Sequence, residues 1–113
     1  MDRTQYWLDT LDNFTAARAE YFIDSLRRAG LPIVITSGRR TPQEQRVLVA
    51  SGKSTTQNSR HLTGQAFDVD IYGQDRNRVP AWIWNSIGPY GEQLGLRWGG
   101  RWTSFRDVGH FES

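Results

Sequence analysis

Two aspartates stand inside the apolar run Ala66-Phe67-Asp68-Val69-Asp70-Ile71, and this stretch limits what the chain can fold into more than any other. Its residue types read as a buried strand, predicted over 65–71. Asp68 and Asp70 are two residues apart and share one face of that strand. A carboxylate on a buried strand needs a partner, because an unpaired buried charge is costly. Seven residues before Asp68, in Ser59-Arg60-His61, lies one of the only two histidines. The other is in Arg106-Asp107-Val108-Gly109-His110-Phe111-Glu112. Imidazole nitrogen and carboxylate oxygen are both zinc donors. His61, His110 and one aspartate can hold a single ion and leave its fourth position open to water. Spacing alone does not choose between Asp68 and Asp70.

A chain of 113 residues is expected to be one domain, residues 1–113. It has no cysteine, so a bound metal must use nitrogen and oxygen ligands. Five Trp, five Phe and four Tyr supply core area. The net charge is +2 with a pI near 9.4, and Lys53 is the sole lysine. The basic residues are scattered apart from Arg27-Arg28 and Arg39-Arg40, without the basic stripe of a nucleic-acid binder. Mild positive charge suits an anionic polymer such as a cell wall. The N-terminus shows neither a signal peptide nor a membrane span. We therefore expect no nucleic-acid or membrane partner, a monomer, and synthesis in the cytoplasm.

Asp12 or Asn13 can cap a helix starting near Phe14, with Phe14, Ala17, Tyr21, Phe22 and Leu26 as its apolar face. Gly30 fits its C-terminal cap. Ile33-Val34-Ile35-Thr36 reads as a strand. Thr41-Pro42-Gln43-Glu44 is a capping box that opens a second helix carrying Val47 and Leu48. Residues 53–59 read as an exposed loop bordering a cleft. Pro80 opens a third helix, with Trp82, Ile83 and Ile87 packing; Gly88-Pro89 interrupts it, and residues 90–94 either continue it after a kink or form a separate turn. Leu96-Arg97-Trp98 and residues 108–112 read as short strands around a bend at Gly99-Gly100. This order predicts an α+β fold: a small, mostly antiparallel sheet flanked by about three helices, with the zinc site in a cleft on the sheet.

Asp107, three residues before His110, can take a proton from water beside the metal and pass it to a leaving amine. Glu112 is the rival for that role; it can instead hydrogen-bond the ring of His110. Arg40, or its neighbour Arg39, can bind a carboxylate or stabilise an oxyanion.

Ser59-x-His61-x-x-Gly64-x-Ala66-x-Asp68 followed by Asp107-x-x-His110 resembles the zinc peptidases of bacterial peptidoglycan. These are the D-alanyl-D-alanine carboxypeptidases and dipeptidases and the L-alanyl-D-glutamate endopeptidases, grouped with the zinc fold of hedgehog domains. Ser37-Gly38-Arg39-Arg40-Thr41-Pro42-x-x-Gln45 and Trp98-Gly99-Gly100-x-Trp102 also resemble family segments, in the family's order, over residues 33–112. The resemblance implies His61, Asp68 and His110 as ligands of one Zn2+ and Asp107 as the catalytic base. It implies Arg40 as the substrate and transition-state arginine, and Ser59 as a substrate-side group or a support of the ligands. Two departures stand out: an aspartate base where many members use glutamate, and Arg101 where an acidic residue is common. The first resembles phage endolysin peptidases. The expected activity is hydrolysis of peptidoglycan stem peptides between L-Ala and D-Glu, in phage-type host lysis after holin-type release. The alternatives are a D-alanyl-D-alanine carboxypeptidase or dipeptidase, and a non-catalytic wall-binding module.

Overall fold

The computed structural model describes residues 2–52 and 59–113. Most of the predicted 53–59 loop, residues 53–58, lies outside them. Four strands, β1 (Ile33–Ser37), β2 (Ala66–Ile71), β3 (Arg97–Trp98) and β4 (His110–Glu112), pair antiparallel in the spatial order β1-β2-β4-β3. The helices are α1 (Thr4–Leu8), α2 (Asn13–Arg28), α3 (Pro42–Ala50) and α4 (Ala81–Gln93). This is the expected α+β class. The helix beyond the three expected is α1, which the mixed composition of residues 1–12 did not reveal. No helix among the described residues is long and apolar enough to cross a membrane.

Alternation along the central strands separates two surfaces. Phe67, Val69 and Ile71 of β2 and Phe111 of β4 enter the core, while Asp68, Asp70, His110 and Glu112 occupy the alternate positions. Phe22 of α2 meets Phe111 at 4.8 Å between ring centroids, Tyr90 at 5.9 Å and Phe67 at 6.3 Å. Removing one such ring to alanine costs about 3–5 kcal/mol.

The helix starts follow from capping chemistry. Asp12 accepts from the Thr15 amide at 2.7 Å. Thr41 and Glu44 form the reciprocal capping box of α3, each bond 3.1 Å long. The expected faces need correction. On α2 the buried residues are Thr15, Ala19, Phe22 and Ile23, whereas Phe14 and Tyr21 are 56% and 61% exposed. The small side chains of Thr15 and Ala19 let the helix approach the core closely, and Phe14 instead lies under the Arg18 guanidinium, 3.4 Å from it. Val47 and Trp82 are likewise exposed, while Gln45 and Trp84 are buried in their helices.

Gly88-Pro89 does not break α4. Proline removes one helix hydrogen bond, but the packing of the helix outweighs that loss. Gly88 is there for close approach: the Trp98 indole lies against its Cα, and Trp98 is fixed by its Nε1–H donating to the Val108 carbonyl at 2.8 Å. A methyl group at residue 88 would overlap that ring. Gly88→Ala should therefore destabilise the protein by about 1–3 kcal/mol, read as a lower urea midpoint at unchanged m-value.

Candidate active site

The register of the sheet brings two of the three expected ligands together. Asp68 of β2 pairs directly with His110 of β4, and His110 Nδ1 lies 3.1 Å from Asp68 Oδ1. His61 arrives from a short 3-10 turn, Arg60–Thr63, capped by Ser59, whose hydroxyl accepts from the His61 amide at 3.2 Å. Its Nε2 lies 3.4 Å from the same Asp68 oxygen. The donor atoms of His61, Asp68 and His110 all fall within 4.8 Å of one another, and both imidazoles are buried.

The tautomers follow from the hydrogen bonds on the far sides of the rings. His61 Nδ1–H donates to the Gly38 carbonyl at 2.7 Å, which turns the Nε2 lone pair toward Asp68. His110 Nε2–H donates to Glu112 Oε1 at 2.7 Å, which turns Nδ1 inward. His61 Nε2 is buried and, among the described residues, has no hydrogen-bond partner. An imidazole lone pair facing a carboxylate oxygen is repulsive unless a cation lies between them. Donor atoms on a tetrahedral zinc ion with bonds of about 2.0–2.1 Å lie about 3.3 Å apart, close to the separations from Asp68 Oδ1 seen here. The residues present therefore fit one Zn2+, which His61 Nε2, Asp68 Oδ1 and His110 Nδ1 would hold.

Charged neighbours stabilise this arrangement. Burial would raise the Asp68 carboxyl, but the two imidazoles facing it, His110 first and then His61, hold it well below the usual carboxylate range. Burial would lower the His110 imidazole, but its bonds to Asp68 and Glu112 push it up to about 9, so in the metal-free chain a proton on Nδ1 takes the place that a cation would fill. Asp68 Oδ2 is taken by Arg40 Nη2 at 2.9 Å, which leaves Oδ1 to face the two imidazoles. Arg40 is further fixed by Gln45 Oε1 at 3.2 Å and by its own amide on the His61 carbonyl at 2.9 Å. Arg39 points elsewhere, donating to the Thr63 carbonyl. Asp107 is raised by burial and then by the negative charge of Asp68. Its backbone is held between Gly99, which accepts from the Asp107 amide at 3.1 Å, and His110, whose amide donates to the Asp107 carbonyl at 3.3 Å.

Other residues at the site were not found as functional candidates from sequence. Arg60 forms a 2.9 Å ion pair with Glu112 Oε2 and so extends the support of His110. The Trp102 indole lies against the His110 ring at 4.9 Å between centroids, with 38% of the residue exposed. For Arg60, adjacency was the available signal: it precedes His61, and its partner Glu112 is the residue the sequence offers for the His110 ring. The Gly38 carbonyl had none, because backbone groups carry no sequence signature. Asp70 is held by Arg76 at 3.1 Å. Glu112→Ala should weaken zinc binding by about 10–100-fold while His61→Ala abolishes stoichiometric binding, measured by competition with a chromogenic chelator.

Known proteins share this fold. A family model described as D-alanyl-D-alanine carboxypeptidase matches residues 52–113. The L-alanyl-D-glutamate peptidase of a Listeria phage is 30% identical over 115 residues; the match covers 93% of this chain but 38% of that protein. The crystal structure of the Serratia marcescens L-Ala D-Glu endopeptidase ChiX superposes with a TM-score of 0.79 at 26% identity, covering 97% of this chain and 85% of that one. A vancomycin-resistance D,D-pentapeptidase VanY in complex with Zn(II) shares the fold, with a TM-score of 0.68 at 17% identity over 90% of this chain and 71% of its own. With more than half its length matched by the family model and the metal donors assembled on the shared fold, the chain belongs to the D-alanyl-D-alanine carboxypeptidase family of peptidases.

Proposed function

We propose that this chain is a zinc-dependent peptidoglycan endopeptidase that hydrolyses the L-Ala–D-Glu bond of stem peptides, in phage-type host lysis. The observation that carries the reading is a three-donor metal site beside a fourth, half-buried carboxylate, Asp107, that is not among the donors. The phage L-alanyl-D-glutamate peptidase and the L-Ala D-Glu endopeptidase ChiX support this choice of bond.

When bound to His61, Asp68 and His110, Zn2+ supplies a Lewis acid that polarises the scissile carbonyl and acidifies water. Asp107 takes the proton of the attacking water as the new carbon–oxygen bond forms. It then delivers that proton to the amine as the carbon–nitrogen bond breaks. Burial and the Asp68 charge raise its basicity toward this task. Arg40, one side chain from the ligand oxygen, stabilises negative charge developing on the carbonyl oxygen. Ser59 acts through His61, by capping the turn that presents it.

A carboxypeptidase needs a cation for the terminal carboxylate of its substrate. Of the arginines that could provide it, Arg101 is paired with Glu92 at 2.9 Å, Arg39 is engaged by the Thr63 carbonyl at 3.0 Å, and Arg40 is committed beside the metal donors to the reacting carbonyl. This favours cleavage within the stem over removal of a terminal D-Ala. Mass spectrometry of purified peptidoglycan digested with zinc-loaded protein tests the choice. New peptides starting at D-Glu, lost on chelation, are expected; release of D-Ala alone would move the assignment to a carboxypeptidase. Asp107→Asn should lower kcat by about 100- to 10,000-fold with one zinc still bound per chain. Undiminished turnover in that variant would sink the assignment of the base.

A further inference from the structure

Arg76 lies in the turn Arg76–Arg78 that follows β2, outside every motif identified in the sequence. Its guanidinium is nonetheless tied to the site on three sides. Nε donates to Asp70 Oδ1 at 3.1 Å, and Nη2 donates to the Val69 carbonyl at 2.8 Å. Nη1 forms an ion pair with Asp107 Oδ1 at 3.5 Å. The Trp84 ring centroid stands 5.8 Å from Cζ. The backbone of residue 109 passes directly beneath the guanidinium, and a Cβ there would overlap it, so glycine is needed at Gly109 for Arg76 to reach Asp107. The Gly109 amide donates to the same Asp107 oxygen at 3.3 Å.

We propose that Arg76 is the positioning residue for the base: anchored by Asp70 and the Val69 carbonyl, it fixes Asp107 through Oδ1 and leaves Oδ2 to handle the proton. This rests on the hydrolase reading above. Asp107 sits between the Gly99–Arg101 turn and β4, outside regular secondary structure, and the Asp68 charge repels it. A carboxylate so placed needs a cation on its far side to hold one geometry, and a misplacement of about 1 Å can cost about 100-fold in rate. Both hydrogen bonds to the Asp107 side chain fall on Oδ1, and among the described residues Oδ2 accepts none. Asp70 thereby has its own task, to hold Arg76 rather than the metal.

The test is a double-mutant cycle on the zinc-loaded full chain. Arg76→Gln should lower kcat by about 10–100-fold with KM within about twofold and zinc content unchanged. In an Asp107→Asn background the same substitution should cost nothing further, because Arg76 acts only through Asp107. Arg76→Lys should restore part of the rate. Gly109→Ala, which displaces the guanidinium without removing it, should repeat the kcat loss. A second readout needs no turnover: Asp107→Asn should shift the side-chain nitrogen resonances of Arg76 in the zinc-loaded protein, and Asp24→Asn, at an exposed position of α2, should not. Wild-type kcat in Arg76→Gln, independent losses in the cycle, or an Arg76 resonance blind to Asp107→Asn overturns the proposal. If Arg76→Gln fails to fold, the resonance decides. A wild-type chain that cleaves no stem peptide sinks the hydrolase reading, and the resonance still tests the bridge.

Discussion

One carboxylate oxygen, Asp68 Oδ1, stands 3.1 Å from His110 Nδ1 and 3.4 Å from His61 Nε2. Each imidazole is oriented from behind, one by the Gly38 carbonyl and the other by Glu112, so both present an inward nitrogen to the same point. Three donor atoms held this close are stable only around a positive charge. The rest of the polar layer follows from that requirement: Arg40 takes the second oxygen of Asp68, and Arg60 holds Glu112. Orienting partners of this kind fix ligand geometry and tune the metal.

The hydrophobic side of the sheet supplies the rigidity. Phe67 and Phe111 stack at 5.8 Å within the sheet while Phe22 and Tyr90 close over them from the helices. On adjacent strands, Asp68 follows Phe67 and His110 precedes Phe111, so the packing that locks the rings also sets the ligand register. A one-residue slip would exchange the two faces and bury the charges in the core. The apolar face and the metal site are thus specified by one pattern.

The first helix shows how distant parts of the chain support the site. Thr4 of α1 accepts from the Ile35 amide inside β1, and Thr10 accepts from the Arg39 amide just beyond Gly38. These bonds hold the backbone whose carbonyl orients His61. Nothing in the composition of residues 1–12 signals that task, because it is carried by threonine hydroxyls to backbone groups far along the sequence.

Local chemistry was legible from the residues alone. The capping box at Thr41, the alternation in β2 and the cap at Asp12 are interactions between near neighbours, and each took the form the sequence implies. The two histidine candidates were legible too, because the chain has only two histidines and no cysteine, whereas its twelve carboxylates left the third donor open between Asp68 and Asp70 until the family resemblance favoured Asp68. The buried face of α2, the continuity of α4 through Pro89, and the exposure of Val47 and Trp82 were not, since contacts far apart in sequence decide them. The same holds for Arg76, Arg60 and the Gly38 carbonyl, whose partners meet only once the strands are paired. The sequence by itself determined which atoms are available to bind a metal and which segments become strand or helix. Tertiary structure decided how each ring is turned, which aspartate faces the histidines and which arginine holds it, because those depend on register and close approach rather than on neighbours along the chain.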